Sequence, residues 1–376
     1  MSALLDSYEG KIDLIYADPP FFTNRSYPAR IGRDEDSRKP QEWELAEGYT
    51  DHWPNVEAYL DMLYPRLMLM HSLLAPEGTL YLHLDWHANA YARLLLDEIF
   101  GTDRLLNEIV WVYHGPSPIK SAFNRKHDTI LVYNKGREYT FNADDVREPY
   151  SPTTVKTFKA SSRAGFGKKP DLKRGKVPED WWYFPVVARL HSERTGYPTQ
   201  KPEALLERII LASSNPGDVV ADFFCGSGTT AVVASRLGRH FIVNDVKWRA
   251  VHTTRSRIVE NSDLPFMIQT GLRTALSFNG IDSMEEGSPI KLAGRRLKLE
   301  SDFASKLDYW EVDPQWKGTL YRSVNQAVRP RKDGDIAHQL DLPTTSSDYP
   351  ICVRFVEIGG QRKQITLQPS SEAAAS

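Results

Sequence analysis

The stretch from Val219 to Asp245 constrains the fold of this 376-residue chain more than any other. An apolar run ends in Asp222, and the segment C-G-S-G-T-T at residues 225–230 leads into a helical pattern. A second apolar run ends at Asp245, about twenty residues after the glycines, the spacing of a ribose-binding acid. This order of strand, glycine loop, helix, strand and acid predicts the nucleoside-binding half of an α/β fold.

Glycines in such a loop let a ligand approach the backbone N–H groups at the start of a helix. The loop lacks the complete G-x-G-x-x-G pattern, and the chain has no Walker lysine motif. An adenosine-type cofactor is therefore favoured over a dinucleotide or a triphosphate. A tight turn whose glycines serve packing alone is the alternative.

The segment Asp18-Pro19-Pro20-Phe21 follows the apolar run of residues 12–17, which predicts a buried strand. A carboxylate at the carboxyl end of such a strand lies where α/β sheets bind ligands. The prolines stiffen the turn and remove two backbone donors, which leaves a cluster of acceptors beside an aromatic ring. Such a cluster suits a planar amino group on a ring. An ordinary Pro-Pro turn is the alternative.

Between these two segments, residues 22–53 lack periodicity and are predicted to form a mobile active-site lid, with plain disorder as the alternative. Residues 55–75 have helical spacing, and Pro65 should kink or split that helix. Apolar runs predict strands over 79–85, 107–114 and 128–134.

His83 and Asp85 share one face of the first of these strands. A metal or catalytic role is one interpretation of this pair. A polar pair at a strand end is favoured, because no third ligand is obvious.

Residues 156–176 form a basic, glycine-containing run with Asp171 as its one acid. Such a run can neutralise backbone phosphates, whereas the alternative is a solvated, disordered loop. Since the net charge of the chain is −2, nucleic-acid binding requires a local patch of this kind. The candidate DNA-binding residues are Lys156, Lys159, Arg163, Lys168, Lys169, Lys173, Arg174 and Lys176.

The composition, 41% hydrophobic and 26% charged, is that of a soluble globular chain. Two cysteines exclude a disulfide framework or a four-cysteine zinc site, and no metal site is predicted. Neither a signal peptide nor an 18-residue apolar run is present, so we expect a cytoplasmic protein without a membrane partner.

Three motifs occur in a diagnostic order: D-P-P-F at 18–21, T-Q-K-P at 199–202 and A-D-F-F-C-G-S-G-T-T at 221–230. With them, residues 10–261 resemble S-adenosylmethionine-dependent DNA amino-methyltransferases of the β-class, in which the catalytic motif precedes the cofactor motif. The resemblance implies a Rossmann-like α/β sheet with permuted motif order. It also implies methyl transfer to the exocyclic amino group of adenine in double-stranded DNA, after base flipping.

The resemblance also implies residue roles. Asp18, Pro19, Pro20 and Phe21 would form the catalytic motif: Asp18 and the Pro19 carbonyl accept hydrogen bonds from the target amino group, and Phe21 stacks on the base. S-adenosylmethionine would be held by a second set, with Asp245 on the ribose and Thr199 and Lys201 at the methionine end. That set is Asp222, Phe224, Gly226, Ser227, Gly228, Asp245, Thr199 and Lys201.

The sequence departs from the family pattern at three places. Phe21 stands where the family more often has tyrosine, and Phe223 stands where it commonly has proline. The family also carries a strand and a Gly-Asp motif upstream of D-P-P, which the short segment before Lys11 does not hold. We therefore expect either a truncated chain or another segment that supplies the contact to the cofactor adenine.

The predicted organisation is a catalytic domain over 1–261, with a target-recognition insert at about 140–195, and a small β-rich accessory domain over 262–376 with a disordered tail. A homodimer and a cognate restriction endonuclease are further partners to test. Cytosine amino-methylation, an RNA substrate and a non-catalytic DNA-binding subunit without cofactor binding are the alternative functions.

Overall fold

A computed structural model describes residues 1–31, 44–116, 118–160, 171–188, 191–262, 264–269, 279–281, 289–330, 335–342 and 349–367. The chain divides into two compact units. The first comprises 1–27 and 48–258, and the second comprises 28–47 and 259–376. The predicted disordered tail, 369–376, lies outside the described residues.

The helices and strands through residue 261 alternate as expected for an α/β fold. In chain order they are α1 (Leu5–Tyr8), β1 (Ile12–Ala17), β2 (Arg25–Ile31), β3 (Glu44–Asp51), α2 (Val56–Leu73), β4 (Leu74–Leu84), α3 (Asn89–Phe100), β5 (Leu105–Val112), β6 (His127–Asn134), α4 (Pro152–Ala160), β7 (Trp181–Tyr183), α5 (Glu203–Ser213), β8 (Val219–Asp222), α6 (Thr229–Arg236), β9 (His240–Val243) and α7 (Trp248–Asn261).

Seven of these strands form one sheet in the order β7-β5-β6-β4-β1-β8-β9. β1 runs parallel to β4 on one side and to β8 on the other, and β8 runs parallel to β9. β6 runs antiparallel to both β4 and β5, so β5 points the same way as β1. Strands β4 to β7 lie on one side of β1, and strands β8 and β9 lie on the other. The strand order therefore reverses direction at β1, and such a switch point is where open α/β sheets bind ligands.

Alternate residues of β1 are buried against the two faces of this sheet, as a strand covered on both sides requires. Ile15 and Ala17 share one core with α2 and α3, whereas Leu14 and Tyr16 share the other with α5 and α6. The result is an α/β sheet, as predicted, with helices packed on both of its faces and the chain after Ala17 brought out at the sheet edge.

The predicted split of helix α2 at Pro65 was wrong, because the helix runs unbroken from Val56 to Leu73. Its buried side, including Tyr59, Leu63 and Leu67, packs in the core on one face of the sheet. Residues 22–53, predicted to be a lid or a disordered loop, contain regular structure, because β2 and β3 pair as a two-stranded sheet. Residues 32–43, between these strands, lie outside the described part of the chain.

The C-terminal segment of the second unit is rich in strands, which confirms the predicted β-rich part of the fold. The pair Gly359-Gly360 predicts a hairpin turn, and the last two strands do pair antiparallel there, with Gly360 at φ +88°. The alternating pattern of residues 318–324 predicts a strand, which was wrong, because the strand there begins at Asn325. The elements are β10 (Asn279–Ile281), β11 (Ile290–Ala293), β12 (Arg296–Leu299), α8 (Ser301–Ala304), β13 (Leu307–Asp313), β14 (Asn325–Val328), β15 (Gln339–Asp341), β16 (Ile351–Glu357) and β17 (Arg362–Leu367).

These strands form a five-stranded sheet, β10-β17-β16-β13-β14, and a three-stranded sheet, β11-β12-β15. They share one apolar core, to which Trp310, Phe355 and Leu297 contribute fully buried side chains. Among the described residues, no helix is both long enough and apolar enough to cross a bilayer.

Candidate active site

Three carboxylates lie at the carboxyl ends of three neighbouring strands. Asp18 follows β1, Asp222 ends β8 and Asp245 follows β9. Burial raises the pKa of Asp222 to about 7; hydrogen bonds from Thr230 and the Phe224 N–H oppose this rise, and the charges of Asp18 and Asp245 add to it. Burial also raises the pKa of Asp245. The sheet thus gathers these predicted site residues at one of its edges, where their carboxylates interact electrostatically.

Asp18 carries two differently engaged oxygens. Lys201 Nζ donates to Asp18 Oδ2 at 2.5 Å, and both side chains are largely buried, with exposures of 10% and 16%. Asp18 Oδ1 is buried, and it lacks a hydrogen-bond partner among the described residues. An unpaired buried carboxylate oxygen costs free energy, which a ligand N–H group at this position would recover.

The turn after Asp18 is held from several sides. Tyr59 Oη donates to the Pro20 carbonyl at 2.8 Å. The Phe21 ring stacks on His83 with centroids 5.8 Å apart, and Lys201 Nζ lies 5.2 Å from the Phe21 centroid. The D-P-P-F motif and the lysine of T-Q-K-P are therefore in direct contact, which the sequence motifs alone do not reveal.

The side chain that organises this turn is Asp51, at the end of β3. Its carboxylate is fully buried and accepts from the backbone N–H groups of Phe21, Phe22 and Thr23 at 3.1, 3.0 and 2.8 Å. It also accepts from Thr23 Oγ1 at 2.7 Å and Trp53 Nε1 at 2.8 Å. The acid inside the predicted lid thus anchors the turn that follows the D-P-P-F motif.

This anchor holds the backbone in an uncommon conformation. Phe22 has φ +66° and Asn24 has φ +55°, and a left-handed conformation is strained for a bulky residue such as phenylalanine. Sequence reasoning missed Asp51 because it lies in an aperiodic segment, about thirty residues from the turn it binds.

Behind the turn lies a buried hydrogen-bond network. His83, fully buried, bonds to Tyr16 Oη through Nδ1 at 2.7 Å and to Asp128 Oδ2 through Nε2 at 3.2 Å. Tyr113 Oη donates to Asp128 Oδ1 at 3.0 Å. Although burial opposes it, the hydrogen bond from His83 lowers the pKa of Asp128.

His83 and Asp85, expected as a polar pair at a strand end, bond to different partners. His83 bonds to Tyr16 and Asp128, whereas Asp85 bonds to His87 at 2.8 Å. In the described ranges, no group of three or more His, Cys, Asp or Glu side chains is placed to hold a metal ion.

The backbone after β8, including the glycine loop, forms hydrogen bonds to both Asp222 and Asp245. Gly226 has φ +49°, and its N–H donates to Asp245 Oδ2 at 3.0 Å. Gly228 has φ +78°, and a Cβ there would lie 2.5 Å from Thr254 Oγ1. Backbone conformation and close packing both require these glycines.

Three of the remaining predicted cofactor residues, Phe224, Ser227 and Thr199, have defined contacts. Ser227 is buried and its hydroxyl lies 3.3 Å from Thr229 Oγ1, and the Phe224 N–H donates to Asp222 Oδ1 at 3.0 Å. Thr199 has φ +56° and contacts Tyr49 Oη at 3.2 Å.

The predicted DNA-binding cations do not form one uniform set. Lys156 and Lys159 are exposed on α4, and Lys173 is also exposed. Arg174 pairs with Asp144 at 2.7 Å, and Lys176 pairs with Glu179. Arg163, Lys168 and Lys169 lie outside the described residues.

Comparison with known proteins identifies the family of this chain. A family model described as DNA methylase matches residues 12–256, so the chain belongs to the DNA methylase family. A type II methyltransferase of Haemophilus parainfluenzae, M.HpaI, is 29% identical over 287 residues, 76% of this chain and 75% of the relative. The DNA adenine methyltransferase YhdJ of Escherichia coli is 34% identical over 235 residues, 61% of this chain and 70% of the relative.

The type II methyltransferase M.BglII of Bacillus subtilis is 32% identical over 248 residues, and the chain spans 62% of its length. Among solved structures, the cytosine-N4-specific PvuII DNA methyltransferase has a TM-score of 0.45 and 18% identity, covering 70% of this chain and 84% of that one. The M1.HpyAVI–SAM complex has a TM-score of 0.40 and 21% identity, covering 68% and 93%.

Proposed function

We propose that this enzyme transfers a methyl group from S-adenosylmethionine to the exocyclic amino group of adenine in double-stranded DNA. Membership of the DNA methylase family supports the reaction, and the name of the relative YhdJ supports adenine. The observation that carries the proposal is Asp18 Oδ1 at the switch point of the sheet, a buried oxygen without a hydrogen-bond partner in the part of the chain that the structure describes.

The amino group of adenine is a poor nucleophile because its lone pair is delocalised into the ring. We assign Asp18 Oδ1 and the Pro19 carbonyl as acceptors for its two hydrogens, which moves the nitrogen toward tetrahedral geometry and frees the lone pair. Lys201 neutralises Asp18 Oδ2 and fixes the carboxylate plane, so the free oxygen keeps one direction. This positioning of preorganised acceptors is the contribution of the turn to catalysis.

The charge of the site fits the cofactor. Asp18, Asp222 and Asp245 lie close enough that their mutual repulsion contributes to the raised pKa of Asp222. A ligand with positive charge relieves this repulsion. When bound, S-adenosylmethionine supplies a methyl group on a positively charged sulfonium. The residues that would hold it are Asp222, Phe224, Gly226, Ser227, Gly228, Asp245, Thr199 and Lys201.

DNA contacts are proposed for the segment between β6 and α5. The exposed Lys156, Lys159 and Lys173 are free of acidic partners among the described residues and are assigned to phosphates. Arg174 and Lys176 first have to exchange their ion pairs with Asp144 and Glu179. Residues 140–195 are proposed as the target-recognition segment and 262–376 as an accessory domain. A homodimer, a cognate restriction endonuclease and a cytoplasmic location are further parts of this proposal.

The test compares wild type with Asp18→Ala, using tritiated S-adenosylmethionine and unmethylated plasmid DNA. We expect Asp18→Ala to lower methyl transfer by about 10²–10³-fold, the usual effect of removing one preorganised transition-state contact. Calorimetric binding of S-adenosylmethionine should persist. The matched control is Asp61→Ala, an exposed aspartate on α2.

Mass spectrometry of the product nucleosides separates the alternatives. Detection of N6-methyladenine supports the proposal, whereas detection of N4-methylcytosine would show that the substrate base is cytosine. Absence of cofactor binding to the wild-type chain would leave the non-catalytic DNA-binding subunit. Methyl transfer by Asp18→Ala at the wild-type rate would contradict the assigned role of the turn.

A further inference from the structure

The loop at residues 118–126, between β5 and β6, presents a phenylalanine almost entirely to solvent. Phe123 is 98% exposed. The loop is braced at its base, since Asn124 Oδ1 accepts from the Ile119 N–H at 3.1 Å and Asn124 Nδ2 donates to the Ile119 carbonyl at 3.0 Å. A braced loop that holds a large apolar side chain in water is costly and suggests a partner surface.

This loop lies at the same sheet edge as Asp18. β5 runs in the direction of β1, so the chain leaves both strands at the carboxyl edge. Contacts connect the two places: Tyr113, just after β5, bonds to Asp128, which bonds to His83, which stacks on Phe21. The loop therefore emerges beside the catalytic turn.

The charge around Phe123 is positive. Residues 113–127 contain Lys120, Arg125 and Lys126 and no acidic residue. The Arg125 guanidinium lies 4.1 Å from the ring centroid of Trp86, which is itself 49% exposed and follows β4 at the same edge. Cations interleaved with exposed aromatic rings match the phosphates and stacked bases of a nucleic acid.

We propose that Phe123 enters the DNA duplex and fills the space that the flipped base leaves, while Lys120 and Arg125 contact the flanking phosphates. This inference rests on the proposed function, since it requires DNA with a flipped base at Asp18. Removing a base from the stack costs a few kcal/mol, and an apolar wedge offsets part of that cost by restacking the opened step. Phe123 thus assists base flipping and takes no part in methyl transfer itself.

The experiment uses the full chain and two duplexes that carry the recognition sequence, which is read from plasmid DNA methylated by the wild-type enzyme. One duplex is fully paired, and the other has a mismatch opposite the target base. A mismatch lowers the cost of flipping without making the DNA single-stranded. The variants are Phe123→Ala, Phe123→Leu and Leu94→Ala. Leu94 is the control, an apolar side chain on α3 that is 69% exposed and lies outside the segments assigned to DNA or to the cofactor.

We expect Phe123→Ala to lower methyl transfer to the paired duplex by about tenfold or more. On the mismatched duplex, its rate of methyl transfer should lie within about threefold of the wild-type rate. Phe123→Leu should retain most activity, and Leu94→Ala should match wild type on both duplexes. Calorimetric binding of S-adenosylmethionine by Phe123→Ala should equal that of wild type, which shows that the variant is folded.

If Phe123→Ala loses methyl transfer equally on both duplexes, or keeps full activity on the paired duplex, the proposed role of Phe123 is contradicted. A wild-type chain that methylates no plasmid DNA overturns the proposed function, and this inference with it. A wild-type chain that methylates DNA while Phe123→Ala behaves identically overturns only the inference.

Discussion

Asp222 is a titrating group near neutral pH, since burial raises its pKa to about 7 while an unfolded aspartate titrates near 3.8. A folded protein that binds a proton more tightly than the unfolded chain loses stability as pH rises through that interval. We expect the free energy of unfolding without ligand to fall by about 1.4 kcal/mol for each pH unit between 5 and 7 through this one group.

The measurement is thermal unfolding at pH 5 and pH 8 for wild type and Asp222→Asn. The asparagine keeps the size of the side chain and cannot ionise, so its unfolding temperature should depend less on pH than that of wild type. Identical pH dependence in the two proteins would show that Asp222 does not carry the raised pKa.

Single residues also mark the limit of sequence-based reasoning. Asp18, Asp222 and Asp245 were predicted to share a site because each ends an apolar run, and the sheet brings them to one edge. The contact between Lys201 and Asp18 was not predictable, because no local pattern reports which side chains meet across distant elements. The bond from His83 to Asp128 likewise depends on how β4 and β6 pair.

Among the elements, β2 and β3 are tied to the turn at Phe21–Thr23 through Asp51. We expect Asp51→Asn to lower kcat for methyl transfer by about tenfold or more, because an amide cannot accept all five hydrogen bonds and the strained backbone at Phe22 would relax. The dissociation constant for S-adenosylmethionine should change little, since Asp51 contacts the turn and not the glycine loop.

Steady-state kinetics measure kcat, and calorimetry measures the dissociation constant for S-adenosylmethionine, so together they show whether only kcat changes. Thr23→Val is the graded control, because it removes the hydroxyl donor to Asp51 and leaves the backbone donors in place. Its loss of kcat should be smaller than that of Asp51→Asn. If Asp51→Asn weakens cofactor binding as much as it lowers kcat, then Asp51 supports the whole fold and not the turn.

Elements with a clear period were predicted closely, and elements without one were not. β8 and β9 were placed within about two residues, the usual precision for element ends, because their apolar runs end in acids and turns. β2 and β3 were missed because their sequences are polar, and a proline lies within β2.

At the scale of the whole molecule, the described residues form three apolar cores. Two are built from residues of the first unit and cover the two faces of the seven-stranded sheet, whereas a third is built from the strands of the second unit. We expect calorimetry to show two unfolding transitions, of which S-adenosylmethionine raises only one.

At a hundred times its dissociation constant, the cofactor stabilises the unit that binds it by about 2.7 kcal/mol, which corresponds to several degrees. An unrelated nucleoside such as uridine at equal concentration is the control. A single transition that shifts as a whole would contradict independent unfolding of the two units.

The ion pair between Lys201 and Asp18 has a consequence for biosynthesis. Its two residues are 183 positions apart in the chain, and each comes from a different motif. While the chain is being translated, Asp18 emerges long before the lysine that orients it, and the strands β8 and β9 appear later still. A partly synthesised chain thus holds the D-P-P-F segment without its orienting cation or the glycine loop, so methylation begins only once translation has passed both motifs.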